Sequence, residues 1–242
     1  MRRGTRFLAF PLLIALTIVS AAAACRILEA QDKREKFVSP SLATASDIVY
    51  PINSGAAGVV VIAVNLDSSG GIKNTVTLRD VPSLTAPVLL AIQKWTFKPA
   101  TLDGRGVDST IVVSVAFNPS DYRLSRPAAP TLGKELEILA PDSNGFLPPR
   151  ITAASWAEYP INSEAQGAVI LDARVNRRGQ VKEMTAAWGP SLVKTSAEAA
   201  KRWTFEPAKL NGTPVSANTV IGCVYRPPNI AVPTRPYRPT PP

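Results

Sequence analysis

The chain has 242 residues, 45% hydrophobic and 19% charged, the balance of a globular protein with room for one large core or two small ones. Its 27 basic and 18 acidic residues give a formal net charge of +9, but no Lys/Arg block of the kind that tracks phosphates, so no nucleic-acid partner is expected. Histidine is absent, which removes Ser-His-Asp and Cys-His catalysis and imidazole metal ligation from consideration.

Residues 1–24 open with Arg2, Arg3 and Arg6, followed by an apolar run from Phe7 to Val19 and small residues from Ser20 to Ala24. This is the three-part pattern of a secretory signal. Extended through the alanines, the run also approaches the roughly 20 apolar residues that a membrane span needs, so an uncleaved anchor is a second reading. Cys25 follows the small residues directly, and "AAAC" is similar to the lipobox of bacterial lipoproteins, with Ala22 where leucine is usual. Three outcomes therefore stand at this stage: lipidation of Cys25, simple cleavage and a retained anchor. Residues 25–37 read as a charged stalk. The only other cysteine is Cys223, so a single disulfide is arithmetically possible. Lipidation would leave Cys223 unpaired.

Two copies of one unit follow. "YPINS" at Tyr50–Ser54 recurs at Tyr159–Ser163, an offset of 109 residues. The same offset carries Pro40 onto Pro149, Gly58 onto Gly167 and Lys73 onto Lys182. One deletion later the offset is 108, and "WTFKPA" from Trp95 recurs as "WTFEPA" from Trp203. The units cover 38–117 and 147–225.

Each unit starts with a strand of period two: Val169, Leu171, Ala173 and Val175 alternate with Ala168, Ile170, Asp172 and Arg174. "LDSSGG" and "VNRRG" are tight turns, with glycine for a positive φ. A second strand starts at Ile72 and at Val181. A helix follows, with Leu84, Val88, Ala91, Ile92 and Trp95, and Leu192, Ser196, Ala199, Ala200 and Trp203, at three- and four-residue spacing. Pro99 and Pro207 are expected to end it. "LDGRGV" and "LNGTPV" are further turns. The last strands end at Phe117 and Tyr225, and alternation puts Cys223 inward as a small core hydrophobe.

The fold class is thus α+β: two tandem β-β-α-β modules, each an antiparallel sheet with one helix on one face. Trp95, Phe97, Trp203, Phe205, Phe117, Tyr225 and Cys223 are expected in the core, sealing it where the helix ends. Residues 118–146 read as a proline-marked linker and 226–242 as an extended proline-rich tail. The outward set of the first strand, Val59, Val61 and Ala63, is more apolar than Ala168, Ile170 and Asp172. The first unit is therefore expected to pack against the other copy, the linker or a partner.

In order and spacing, the Tyr-Pro, the "G.V" strand, the Asp/Asn-x-x-Gly turn, the "W.F.PA" helix exit, the "GxxV" and the final aromatic resemble the TonB C-terminal domain, present twice. The resemblance implies a β-β-α-β fold and protein–protein interaction in the periplasm, in which an extended segment is added to the sheet as a strand. It makes Tyr50, Pro51, Tyr159 and Pro160 candidate partner contacts. The chain departs from TonB itself: Ile48 and Ala157 stand where a glutamine is usual, the histidine of the motor-coupled helix is missing, there is no long Glu-Pro/Lys-Pro spacer, and the domain is duplicated. The expectation is a non-catalytic envelope protein, without cofactor, that binds an envelope protein or extended peptide. It would be attached to the membrane by lipid or anchor. An energy transducer for outer-membrane transport and a structural envelope component are the alternatives.

Overall fold

The computed structural model describes residues 36–51, 54–118, 130–132, 136–159, 165–189 and 191–226. Cys25, Pro160, the leader and the tail beyond Arg226 lie outside the described residues. In the first repeat the elements are β1 (Phe37–Val38), β2 (Ser41–Thr44), β3 (Gly58–Leu66), β4 (Ile72–Arg79), α1 (Thr85–Ile92), β5 (Thr96–Lys98), β6 (Ala100–Leu102), β7 (Arg105–Val107) and β8 (Ser109–Phe117). The second repeats them as β9 (Phe146–Leu147), β10 (Arg150–Ala153), β11 (Gly167–Val175), β12 (Val181–Trp188), α2 (Val193–Ala200), β13 (Thr204–Glu206), β14 (Ala208–Leu210), β15 (Thr213–Val215) and β16 (Ala217–Tyr225). All lie within the compact unit Phe37–Pro242.

The main difference from the sequence expectation is that the two repeats share one sheet. Its six strands run β12-β11-β16-β8-β3-β4. Within each repeat the pairing is antiparallel, as expected, but the two last strands, β16 and β8, pair in parallel at the centre. Val220 is the partner of Val113, whereas the counterpart of Val113 in the repeat is Ile221. A one-residue shift turns every side chain to the other face. Ile221 accordingly packs on one side of the sheet and Val113 on the other. The repeats are thus related by an approximate two-fold axis that lies in the sheet along its strands. One helix covers each face, and the core is a helix–sheet–helix sandwich.

This arrangement accounts for the apolar outward set of β3. Val59, Val61 and Ala63, with Val112 and Ala116, join the core that α2, Trp203 and Phe205 build. Leu132 and Leu136, from the stretch expected to be a linker, are buried in the same core. Ala168, Ile170, Val220 and Val224 of the second repeat in turn complete the core beneath α1, Trp95 and Phe97. Neither three-stranded half covers both of its own faces.

The helices are shorter than the periodicity predicts. α1 ends at Ile92 and α2 at Ala200. The prolines do not end them; β5 and β13 intervene. These strands pair with β2 and β10, placing Leu42 opposite Phe97 and Ile151 opposite Phe205. Tertiary strand pairing overrides the last helical turn, and Pro99 and Pro207 separate β5 from β6 and β13 from β14. The turns after them carry left-handed residues, Asp103-Gly104 and Asn211-Gly212, the sequence that a two-residue hairpin favours.

Candidate functional site

The Tyr-Pro segments precede β3 and β11, which run parallel to each other and begin at the same end of the sheet. Tyr50 lies edge-on to Phe117 at 5.3 Å, and its hydroxyl donates to the carbonyl of Ala56. Tyr159 repeats the construction against Tyr225 at 6.1 Å, donating to the carbonyl of Ala165 at 2.6 Å. Each phenol therefore closes its own loop and seals the end of the last strand. Burial pushes the Tyr50 hydroxyl above its ordinary pKa, with the Arg226 charge acting in the opposite direction. Arg226 sits over the Tyr50 ring at 5.3 Å and donates to Ser54 O at 2.6 Å, tying the exit of the second repeat to the entry loop of the first. Pro51 is half-buried beside Tyr50. The exposed apolar group in this loop is Val49, not the tyrosine.

The hexapeptides are interior. Trp95, Phe97, Trp203 and Phe205 are all below 8% exposed. Trp203 Nε1 donates to Ser155 O at 2.9 Å. Lys98 and Glu206, the one mismatch between the copies, are exposed on β5 and β13. Phe117, Tyr225 and Cys223 are buried, and burial pushes the Cys223 thiol up to about 12. The hydroxyl of Tyr225 meets that of Ser196 at 2.6 Å. In the first repeat the corresponding residues are the apolar pair Phe117 and Val88.

Polar side chains lock the repeats together. Asp172 accepts from the Leu42 amide at 3.1 Å and from Asn218 Nδ2 at 2.7 Å, and Asp47 accepts from the Ala168 amide at 2.7 Å. Burial holds the Asp172 carboxyl above its ordinary value; the Leu42 and Asn218 bonds and the nearby Lys98 and Arg174 act against it. At the opposite end from the tyrosines, Phe37 stacks on Phe146 at 4.7 Å. These two are counterparts at the 109-residue offset, a repeat match that the sequence reading passes over because it ends the stalk at Phe37 and the linker at Phe146.

The shared sheet leaves two outer strands, β4 and β12. They are treated differently. At β4, Glu137 N–H donates to Leu78 O at 3.0 Å, Lys73 pairs with Asp108 at 2.8 Å, and Arg79 Nη1 reaches back to Val59 O at 2.6 Å. At β12 no strand among the described residues pairs with the outer edge. Its last residue, Trp188, occupies the position of Arg79 and is 42% exposed. Trp188, Asp47, Gly189 and Tyr225 line a small cavity at the start of β11. A second, apolar cavity of about 140 Å³ lies between β3, β4 and β8 and the segment 136–151, floored by Val61, Leu78, Val112 and Ile151. Among the described residues no cluster of His, Cys, Asp or Glu could hold a metal ion.

The family model of the Gram-negative bacterial TonB protein C-terminal matches residues 49–119 and 158–227, together more than half of the chain. The two matches coincide with the two repeats that build the shared sheet. No curated protein and no solved structure matches the chain.

Proposed function

The chain belongs to the family of the Gram-negative bacterial TonB protein C-terminal, and from that membership we propose that it is a non-catalytic cell-envelope protein that takes up an extended segment of another envelope protein as an added strand. The observation that carries this reading is that no strand among the described residues pairs with the outer edge of β12. In each three-stranded half the last strand would offer one edge, but β8 and β16 occupy each other there. β4 is capped at Leu78 by the Glu137 amide. Along Val181–Trp188 no strand among the described residues takes up the outer backbone groups of β12, the requirement for β-augmentation. A bare edge is otherwise an aggregation hazard that proteins blunt, so one left open beside a blunted equivalent supports a binding role.

In this reading Tyr50 and Tyr159, with Pro51 beside Tyr50, act by fixing the loops that start β3 and β11, and contact with the partner falls to the edge. Membrane attachment through residues 1–25, by lipid or by anchor, would keep the protein in the periplasm. The test is amide hydrogen exchange of the full chain with synthetic extended peptides. Protection at alternating residues of β12 is the expected result. Protection elsewhere, or none with any peptide, would leave the structural envelope role as the better account.

A further inference from the structure

We propose that the segment received by β12 carries an acidic stretch at one end and an apolar, preferably aromatic, residue about six positions away. The inference rests on the strand-addition reading and adds the chemistry of the ligand.

It comes from comparing the two outer strands position by position. The turn before β4 reads Asp67-Ser68-Ser69; the turn before β12 reads Asn176-Arg177-Arg178. Both turns fold alike: Asp67 Oδ1 accepts from the Ser69 and Gly71 amides, and Asn176 Oδ1 from the Arg178 and Gln180 amides. The fold therefore does not require the two arginines, both of which are exposed. Lys73 and Lys182 are counterparts, but the partner of Lys73, Asp108, becomes Ser216 in the second repeat. Lys182 is exposed. Arg177, Arg178 and Lys182 thus make the entry of β12 cationic, with Glu183 the one acid on the strand. At the other end the change runs from Arg79, engaged with Val59 O, to the exposed Trp188.

Register fixes which groups an added strand would meet. Trp188 pairs with Ile170 and Thr185 with Asp172, so Trp188 projects from the face that carries α1. Lys182 and Trp188 are six residues apart, roughly 20 Å at about 3.3 Å per residue. A partner strand of seven or eight residues spans both. Tryptophan and arginine are the residues that most often dominate interface energetics, and rim charges set the rate of encounter. The backbone would supply general affinity, and the two ends would select the sequence.

The experiment compares three synthetic ten-residue peptides of one Thr/Val background, binding to the full chain. One carries two glutamates and a phenylalanine six residues apart, one the glutamates alone, and one neither. The first is expected to bind about tenfold more tightly than the third, and Trp188→Ala to remove about tenfold of its affinity. Arg177→Glu with Arg178→Glu is expected to slow association and remove its salt dependence. Equal affinity of all three peptides, with β12 still protected from exchange, overturns the inference and leaves strand addition standing. Loss of protection with every peptide overturns both. Binding of phosphatidylglycerol vesicles through Arg177 and Arg178 without peptide binding also overturns it.

Discussion

At the residue scale, the repeats solve the same packing problem with different chemistry. Ser196 and Tyr225 share a buried hydrogen bond where Val88 and Phe117 make an apolar contact. Ser196→Ala is expected to cost about 1 kcal/mol in denaturant unfolding. Ser196→Val with Tyr225→Phe, which writes the pair of the first repeat into the second, should cost less than the two single changes added together. Asp172 gives the pH dependence. Its carboxyl is held above the ordinary 3.8 by burial, so the folded state favours the protonated form. Ionisation therefore costs stability, and that cost appears as pH rises through 3.8 and the raised folded value. Unfolding of wild type and Asp172→Asn between about pH 3 and pH 7 should show the difference moving in favour of the asparagine as pH rises. A constant difference would assign Asp172 a purely hydrogen-bonding role.

At the scale of elements, the hairpin turns and the hexapeptides form one construction. Gly179 has φ 76°, and a Cβ there would lie 1.7 Å from the Phe205 carbonyl oxygen; Gly70 stands in the same relation to Phe97 O at 2.4 Å. The Phe205 amide donates to Gly179 O at 3.0 Å. Gly179→Ala thus strains the turn and pushes β13 away from it, and should cost about 3 kcal/mol by chemical denaturation. Most elements within a repeat were legible: alternation gave β3 and β11, glycine gave the turns, and the Leu84–Trp95 spacing gave α1. The short strands β5 and β13 were not legible, because Thr-Phe-Lys and Thr-Phe-Glu continue a helical pattern until Leu42 and Ile151 pair with them from more than 50 residues away. The open edge of β12 was equally hidden, since Trp188 reads as one more aromatic until its neighbours are known.

At the scale of the whole molecule, the repeat predicted two modules and the structure has one core layer shared by both. Pairing of β8 with β16 leaves little trace in composition, because backbone bonds carry it. The trace it did leave was the apolar outward face of Val59, Val61 and Ala63, a surplus that a solvated module would not carry. Leu132 and Leu136 show what prolines alone do not reveal: within the proline-marked connection two leucines are buried in the core beneath α2, among residues of both repeats. Since each half completes the other's core, heat should unfold the repeats in one transition, with calorimetric and van't Hoff enthalpies equal. Two resolved transitions would mean that the halves are separable.

The in-plane axis also bears on how such a protein can diversify. Two identical chains related by that axis would carry the same residue at both outer strands, so any substitution that closed one rim would close the other. Joining them in one polypeptide lifts that restriction. Arg79 and Trp188 can differ only because they are encoded separately, and a duplicated gene can retire one rim while refining its twin.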